Sequence, residues 1–104
     1  MNRILIIESD STQAESLGAL LTKSGIEIVV APDGRTGLNK LRSEIFDIYY
    51  TGINLPDMET QKLLLEAQKF RITAPAIILA SEKNIPEAIE LGLKGIQPVY
   101  YRSR

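Results

Sequence analysis

The groups able to do chemistry in this chain are few, and most of them follow one apolar run. Ile4-Leu5-Ile6-Ile7 is succeeded at once by Glu8, Ser9, Asp10, Ser11 and Thr12. Two carboxylates at the end of a strand can bind a divalent cation through hard oxygen ligands; they serve equally as solvated charges. The hydroxyls of Ser9, Ser11 and Thr12 precede a helical pattern, and free amides at a helix start can hold an anion. Glu8 and Asp10 would repel a phosphate there, and hydroxyls in that place commonly act as caps. A further acidic stretch, Leu55-Pro56-Asp57-Met58-Glu59, has the composition of a loop, where an Asp after Pro commonly serves a turn. The chain has no Cys and no His. That removes disulfides and thiolate or imidazole metal sites, together with the usual general base near neutral pH. Carboxylates, hydroxyls, Lys, Arg and the backbone are what remain.

The elements that must position these groups are set by length and pattern. A chain of 104 residues suffices for one domain, residues 1–104, and is short for two. A chain of this size buries roughly two thirds of its unfolded surface, enough for a core without staples. Hydrophobic residues make up 44% and charged residues 24%, the balance of an ordinary soluble protein. A net charge of −1 gives no reason to expect nucleic acid. Glu8 and Asp10 end the first apolar run far short of a membrane span of roughly 20 residues, and nothing reads as a targeting segment. The expectation is a cytoplasmic protein.

Apolar runs alternate with helical patterns. Arg3–Ile7 reads as a strand buried on both faces. Thr12 and Glu15 fit a capping box, followed by Ala14, Leu17, Leu20 and Leu21 on one helix face, and Gly25 suits a helix C-terminus. Glu27–Ala31 is a second strand, Pro32-Asp33-Gly34 a turn, and Leu38, Leu41 and Ile45 mark a second helix. Phe46–Thr51 reads as a third strand, with Tyr49 and Tyr50 as core and sheet-edge residues, and Gly52–Met58 as a loop. Leu63, Leu64, Ala67 and Phe70 give a third helix face. Ala74–Ala80 is a fourth strand, Glu87–Leu91 a short fourth helix closed by Gly92, and Ile96–Tyr101 a fifth strand. Pro98 predicts that this last strand lies at an edge, since Pro cannot donate to a ladder on both sides. Strands alternating with helices imply a parallel, doubly wound α/β sheet. Such a domain normally ends in a helix, whereas only Arg102-Ser103-Arg104 follow the fifth strand. One sheet face is therefore expected to be thinly covered, or covered by something else such as a second copy.

The order of landmarks resembles the receiver domain of bacterial two-component response regulators. Ile4-Leu5-Ile6-Ile7-Glu8-Ser9-Asp10 is similar to that family's first strand and acidic cluster. Ala31-Pro32-Asp33-Gly34 is similar to its turn before the second helix, and Phe46-Asp47-Ile48 to the start of its third strand. Leu55-Pro56-Asp57-Met58-Glu59 resembles its Met-Pro-x-Met-Asp loop, and Gly92-Leu93-Lys94-Gly95 its turn before the fifth strand. The resemblance implies a flavodoxin-like (CheY-like) fold with strand order 2-1-3-4-5, lacking the last helix. It also implies a phosphoryl site at the carboxyl ends of the strands. There an Asp accepts the phosphoryl group, acidic residues help it hold Mg²⁺, and a hydroxyl and a Lys hold the phosphoryl oxygens.

Carried over residue by residue, the resemblance places Gly52 at the acceptor position, where no nucleophile is available. Glu8 stands at the first acidic position and Ser9 at the second, with Asp10 one residue further on. Ala80, followed by Ser81, takes the hydroxyl position. Spacing from Gly92 puts the lysine position at Val99, while matching Gln97-Pro98 to the family's Lys-Pro puts it at Gln97; neither is Lys. The coupling aromatic maps to Ile96. The resemblance thus implies a pseudo-receiver: no enzyme, no cofactor and no metal, working by protein contact. Its expected partner is a protein, or a second copy, on the fourth-helix and fifth-strand face carrying Ile89, Leu93, Ile96, Val99, Tyr100 and Tyr101. Two alternatives stand beside it. One is an atypical receiver phosphorylated or Mg²⁺-bound at Asp57, Glu8 and Asp10, and the other a flavodoxin-like carrier of a small ligand.

Overall fold

The computed structural model describes residues 2–22, 25–53, 55–80 and, along the backbone, 99–102. Chain order is β1 (Arg3–Ile7), α1 (Ser11–Thr22), β2 (Glu27–Ala31), α2 (Gly34–Ser43), β3 (Ile48–Gly52), α3 (Thr60–Lys69), β4 (Ala76–Ala80) and β5 (Val99–Arg102). The strands form one parallel sheet in the order β2-β1-β3-β4-β5, and the order of the first four is the one that the resemblance implies. The predicted helix Glu87–Leu91, with Ile89, Leu93 and Ile96, lies outside the described residues.

Alternation along β1 builds a core on each face of the sheet. Leu5 and Ile7 join Ala31, Leu38, Leu41, Phe46, Tyr49, Leu63, Leu64 and Ile78 under α2 and α3. Ile4 and Ile6 join Ala14 and Leu17 under α1, with Ile28, Ile48 and Tyr50 half-buried beside them. Helix α2 packs tightly on the sheet at Gly37, where a Cβ would come within 2.7 Å of Ile7 Cγ1.

Several boundaries differ from the sequence reading, each for a local reason. Helix α1 is capped by Asp10 and not by Thr12: Asp10 Oδ1 accepts the amides of Thr12 (2.9 Å) and Gln13 (3.3 Å). Helix α2 stops at Ser43 because Glu44 turns extended (φ −134°, ψ 157°). Ile45 therefore leaves the helix face and is 87% exposed. Phe70, assigned to the buried face of α3, is exposed, and its ring carries the Arg42 guanidinium 4.2 Å from the centroid. Strand β3 begins at Ile48, not at Phe46, and lies between β1 and β4, so Tyr50 is not an edge residue. Strand β4 begins at Ala76, two residues later than predicted; β5 is described over Val99–Arg102, and the predicted start of that strand at Ile96 lies outside the described residues.

The amino ends of the strands are tied together by Arg3. Its guanidinium donates to Glu27 (3.0 Å), Glu44 (2.7 Å) and the Ile45 carbonyl (3.3 Å), and stacks 4.9 Å from the Phe46 ring centroid. The bond from Arg3 holds the Glu44 carboxyl below its ordinary range.

Candidate functional site

The site lies at the opposite, carboxyl end of the sheet. Parallel register sets Ile7 beside Thr51 and Gly52 beside Leu79, so the chain leaves β1 and β3 at one level. Glu8, one residue beyond β1, is thereby brought to Gly52, the last residue of β3. A Cβ built on Gly52 would stand 2.7 Å from Glu8 Oε1 and 3.2 Å from its carboxyl carbon. The Glu8 carboxylate thus lies where a side chain at position 52 would begin. It is held there by its other oxygen, Oε2, which accepts the Asp10 amide at 2.9 Å, and its own amide donates to Ala31 O at 2.9 Å.

The other residues assigned from sequence are placed less evenly. Ser9 is exposed. Asp10 is drawn toward α1, whose first free amides it satisfies. Ala80 closes β4 and pairs with Arg102, whereas Val99 pairs with Ile77, three rows back from that rim. The residue at the carboxyl end of β5 is therefore Arg102, one residue beyond the predicted end of that strand at Tyr101. Tyr100 and Tyr101 lie between them, at the edge of the sheet.

Asp57 is engaged elsewhere. Its Oδ1 accepts the Gly34 amide and its Oδ2 the Arg35 amide, both at 2.9 Å, while Asp33 Oδ1 accepts the Thr36 amide at 2.8 Å. These three amides open α2, and two acidic side chains from separate loops satisfy them, with the favourable sign for the helix dipole. The Arg35 N–H, with help from that of Gly34, holds the Asp57 carboxyl below the usual carboxylate range. Met58 packs over Gly34, where a Cβ would come within 2.6 Å of Met58 Cγ. The loop is anchored at its far end by Thr60, whose buried hydroxyl donates to the carbonyls of Gly52 (2.8 Å) and Ile53 (3.0 Å).

The donor set does not fit a Mg²⁺ site. An octahedral cation needs several oxygens converging on one point. Here Asp10 faces helix amides, Glu8 is bound to the Asp10 amide, and position 52 contributes no side chain. No group of three acidic side chains able to hold a metal occurs among the described residues. Among them, too, no helix is long and apolar enough to cross a membrane.

A wound parallel sheet with acidic residues at the β1 end and a capped loop after β3 defines a class of protein, the flavodoxin-like α/β domains. Comparison with known proteins narrows it: the response regulator receiver domain family matches residues 4–97, and the chain belongs to that family. Among solved structures, a receiver domain protein from Clostridium thermocellum superposes with a TM-score of 0.86 at 26% identity, covering 99% of this chain and 82% of that one. A CheY-like receiver domain protein from Methanospirillum hungatei JF-1 gives 0.85 at 28% identity, with the same coverage of 99% and 82%. Transcriptional regulatory protein ZraR of Klebsiella oxytoca is 28% identical over 87 residues, 84% of this chain and 20% of that protein. Cell cycle transcriptional regulator CtrA of Caulobacter vibrioides is 26% identical over 88 residues, 85% and 38% respectively. The chain thus spans between a fifth and two fifths of the length of these curated relatives.

Proposed function

We propose that this receiver domain is a pseudo-receiver, a protein-interaction module of a two-component-type regulator that works without accepting a phosphoryl group. The observation that carries the reading is Gly52. The residue at the acceptor position has no side chain, and the space one would take holds the Glu8 carboxylate. A phosphoryl group then meets no nucleophile at the end of β3, and Glu8 and Asp10 repel it. The competing reading, phosphorylation at Asp57, is disfavoured because both Asp57 oxygens accept amides of α2. A flavodoxin-like carrier is disfavoured in the same way, since Asp10 fills the amides at the start of α1.

A module without chemistry acts through its surface, in the cytoplasm as in two-component signalling generally. Its partner would be a protein or a second copy, on the face built from β5 with Val99, Tyr100 and Tyr101 and from the segment carrying Ile89, Leu93 and Ile96. Treatment with acetyl phosphate and Mg²⁺, followed by intact-mass measurement, should give no added phosphoryl group. Beryllofluoride with Mg²⁺ should leave the amide spectrum unchanged. A phosphorylated Asp or Glu at any position would refute the proposal.

A further inference from the structure

Gly52 ends β3 with its backbone buried, and the nearest atoms to a side chain there all belong to Glu8, at 2.7, 3.2 and 3.4 Å. Heavy atoms 2.7 Å apart without a hydrogen bond between them overlap, so a methyl group at position 52 and the carboxylate in its present place exclude each other. Glu8 is not loose in that space, because the Asp10 amide holds it from the other side at 2.9 Å. Asp10 in turn holds α1. One chain of contacts therefore runs from the end of β3 through Glu8 and Asp10 to the first turn of α1.

We propose that Glu8 is the resident carboxylate of the site and Gly52 the residue that admits it, so that β3, the β1 end and α1 are coupled through one shared niche in a single fixed state. This rests on the pseudo-receiver reading and deepens it: the niche is occupied by the chain's own acidic group and does not await a ligand. The Asp10 amide reports the state, since a proton donated to a carboxylate lies downfield of one donated to water.

The test is the Asp10 amide proton in ¹⁵N-correlated spectra of the unmodified chain and of Glu8→Ala, Gly52→Ala and the double variant. Glu8→Ala should move it upfield. Gly52→Ala should move it the same way by expelling the carboxylate, and the double variant should move it no further than Glu8→Ala alone. An Asp10 amide that stays in place in Gly52→Ala, or shifts that add in the double variant, would overturn the proposal. Should Gly52→Ala unfold the chain, the double variant decides. It regains the fold if Glu8 was the obstacle, and it stays unfolded if the obstacle lies elsewhere, which overturns the proposal as well. No phosphoryl donor or metal enters this readout. Its failure leaves the phosphorylation test standing, and a phosphorylated species in that test would leave the shared niche in place.

Discussion

Replacing Asp57 by Ala should destabilise the domain without touching its core. The substitution removes two bonds at once, from the amides of Gly34 and Arg35, each 2.9 Å from a carboxylate oxygen. Loss of a helix cap typically costs about 0.5–2 kcal/mol, and an ionised acceptor makes the stronger kind of bond. Asp57 is exposed, however, so water re-solvates the freed amides and screens the charge. We therefore expect about 1 kcal/mol, a fall in Tm of roughly 4–8 °C for a domain of this size. Asn at this position keeps one acceptor oxygen and should lose about half as much. The pH dependence has a definite sign. The folded-state pKa of Asp57 is depressed, so its contribution is present above the unfolded value of about 3.9 and fades as pH falls through the folded value. Thermal or urea unfolding of Asp57→Ala and Asp57→Asn at neutral pH and in acid measures both effects. If Asp57→Ala unfolds like the parent at neutral pH, or if the difference persists undiminished in strong acid, the capping argument is wrong.

Four further outcomes follow from the packing and the backbone. Gly37→Ala should destabilise on the order of 1 kcal/mol, because its Cβ would fall 2.7 Å from Cγ1 of the fully buried Ile7. Gly18→Ala, with Ile28 Cγ2 at a comfortable 3.7 Å, should stabilise by roughly 0.5–1 kcal/mol. Equal signs in urea unfolding would contradict the packing. Arg71 follows α3 in the left-handed region (φ 58°), which costs a side chain energy that Gly escapes. Arg71→Gly should therefore raise Tm, and a lower Tm would show that the Arg71 side chain contributes more than its backbone strain costs. Burial pushes the Tyr49 phenol up to about 12. Its contribution to stability is complete below the unfolded value of about 10 and is lost as pH rises from there through 12. Ultraviolet titration, with Tyr49→Phe as the reference, should find that Tyr49 ionises only in that range or with unfolding; if it ionises near 10 in the folded chain, Tyr49 is not buried as described.

What could be read from sequence was what local pattern determines. The boundaries of β1 and β2 are legible because continuous apolar runs there end at charged or turn residues. A parallel sheet follows from the alternation of elements and its strand order from the family resemblance, while Leu38, Leu41, Leu63, Leu64 and Ala67 follow from helical period. Errors arose where two local signals competed. Thr12 with Glu15 offered a capping box, but Asp10 lay closer to the first free amides and took them. Ile45 continued the spacing of α2, but Glu44 had already left the helix, its carboxylate bound to Arg3, 41 residues away in sequence. Contacts of that separation carry no periodic signature. The Asp57 cap on α2, the Thr60 anchor on β3 and the meeting of Glu8 with Gly52 are all of this kind. Topology brings the last two residues to one end of the sheet, but only the folded side-chain packing puts one residue's carboxylate in the other's space.

This division explains how a chain of the receiver family can end β3 on Gly52, the position to which the resemblance assigns the acceptor. Asp57 and Met58 belong to the loop that carries much of the resemblance, and both have structural work that needs no phosphate. One closes the amide end of α2 and the other packs over Gly34. Substituting them would cost stability whether or not the domain is ever phosphorylated. Gly52 and Ser9 differ: neither donates a side-chain bond to the frame, and the fold forms with a small residue at each. Glu8 lies between the two groups, a carboxylate at the site that also supports the start of α1 through the Asp10 amide. A residue with that double attachment has a reason to stay acidic that a metal need not supply. Its place beside Gly52 therefore accords with the proposed site, in which the chain's own carboxylate takes the space at position 52.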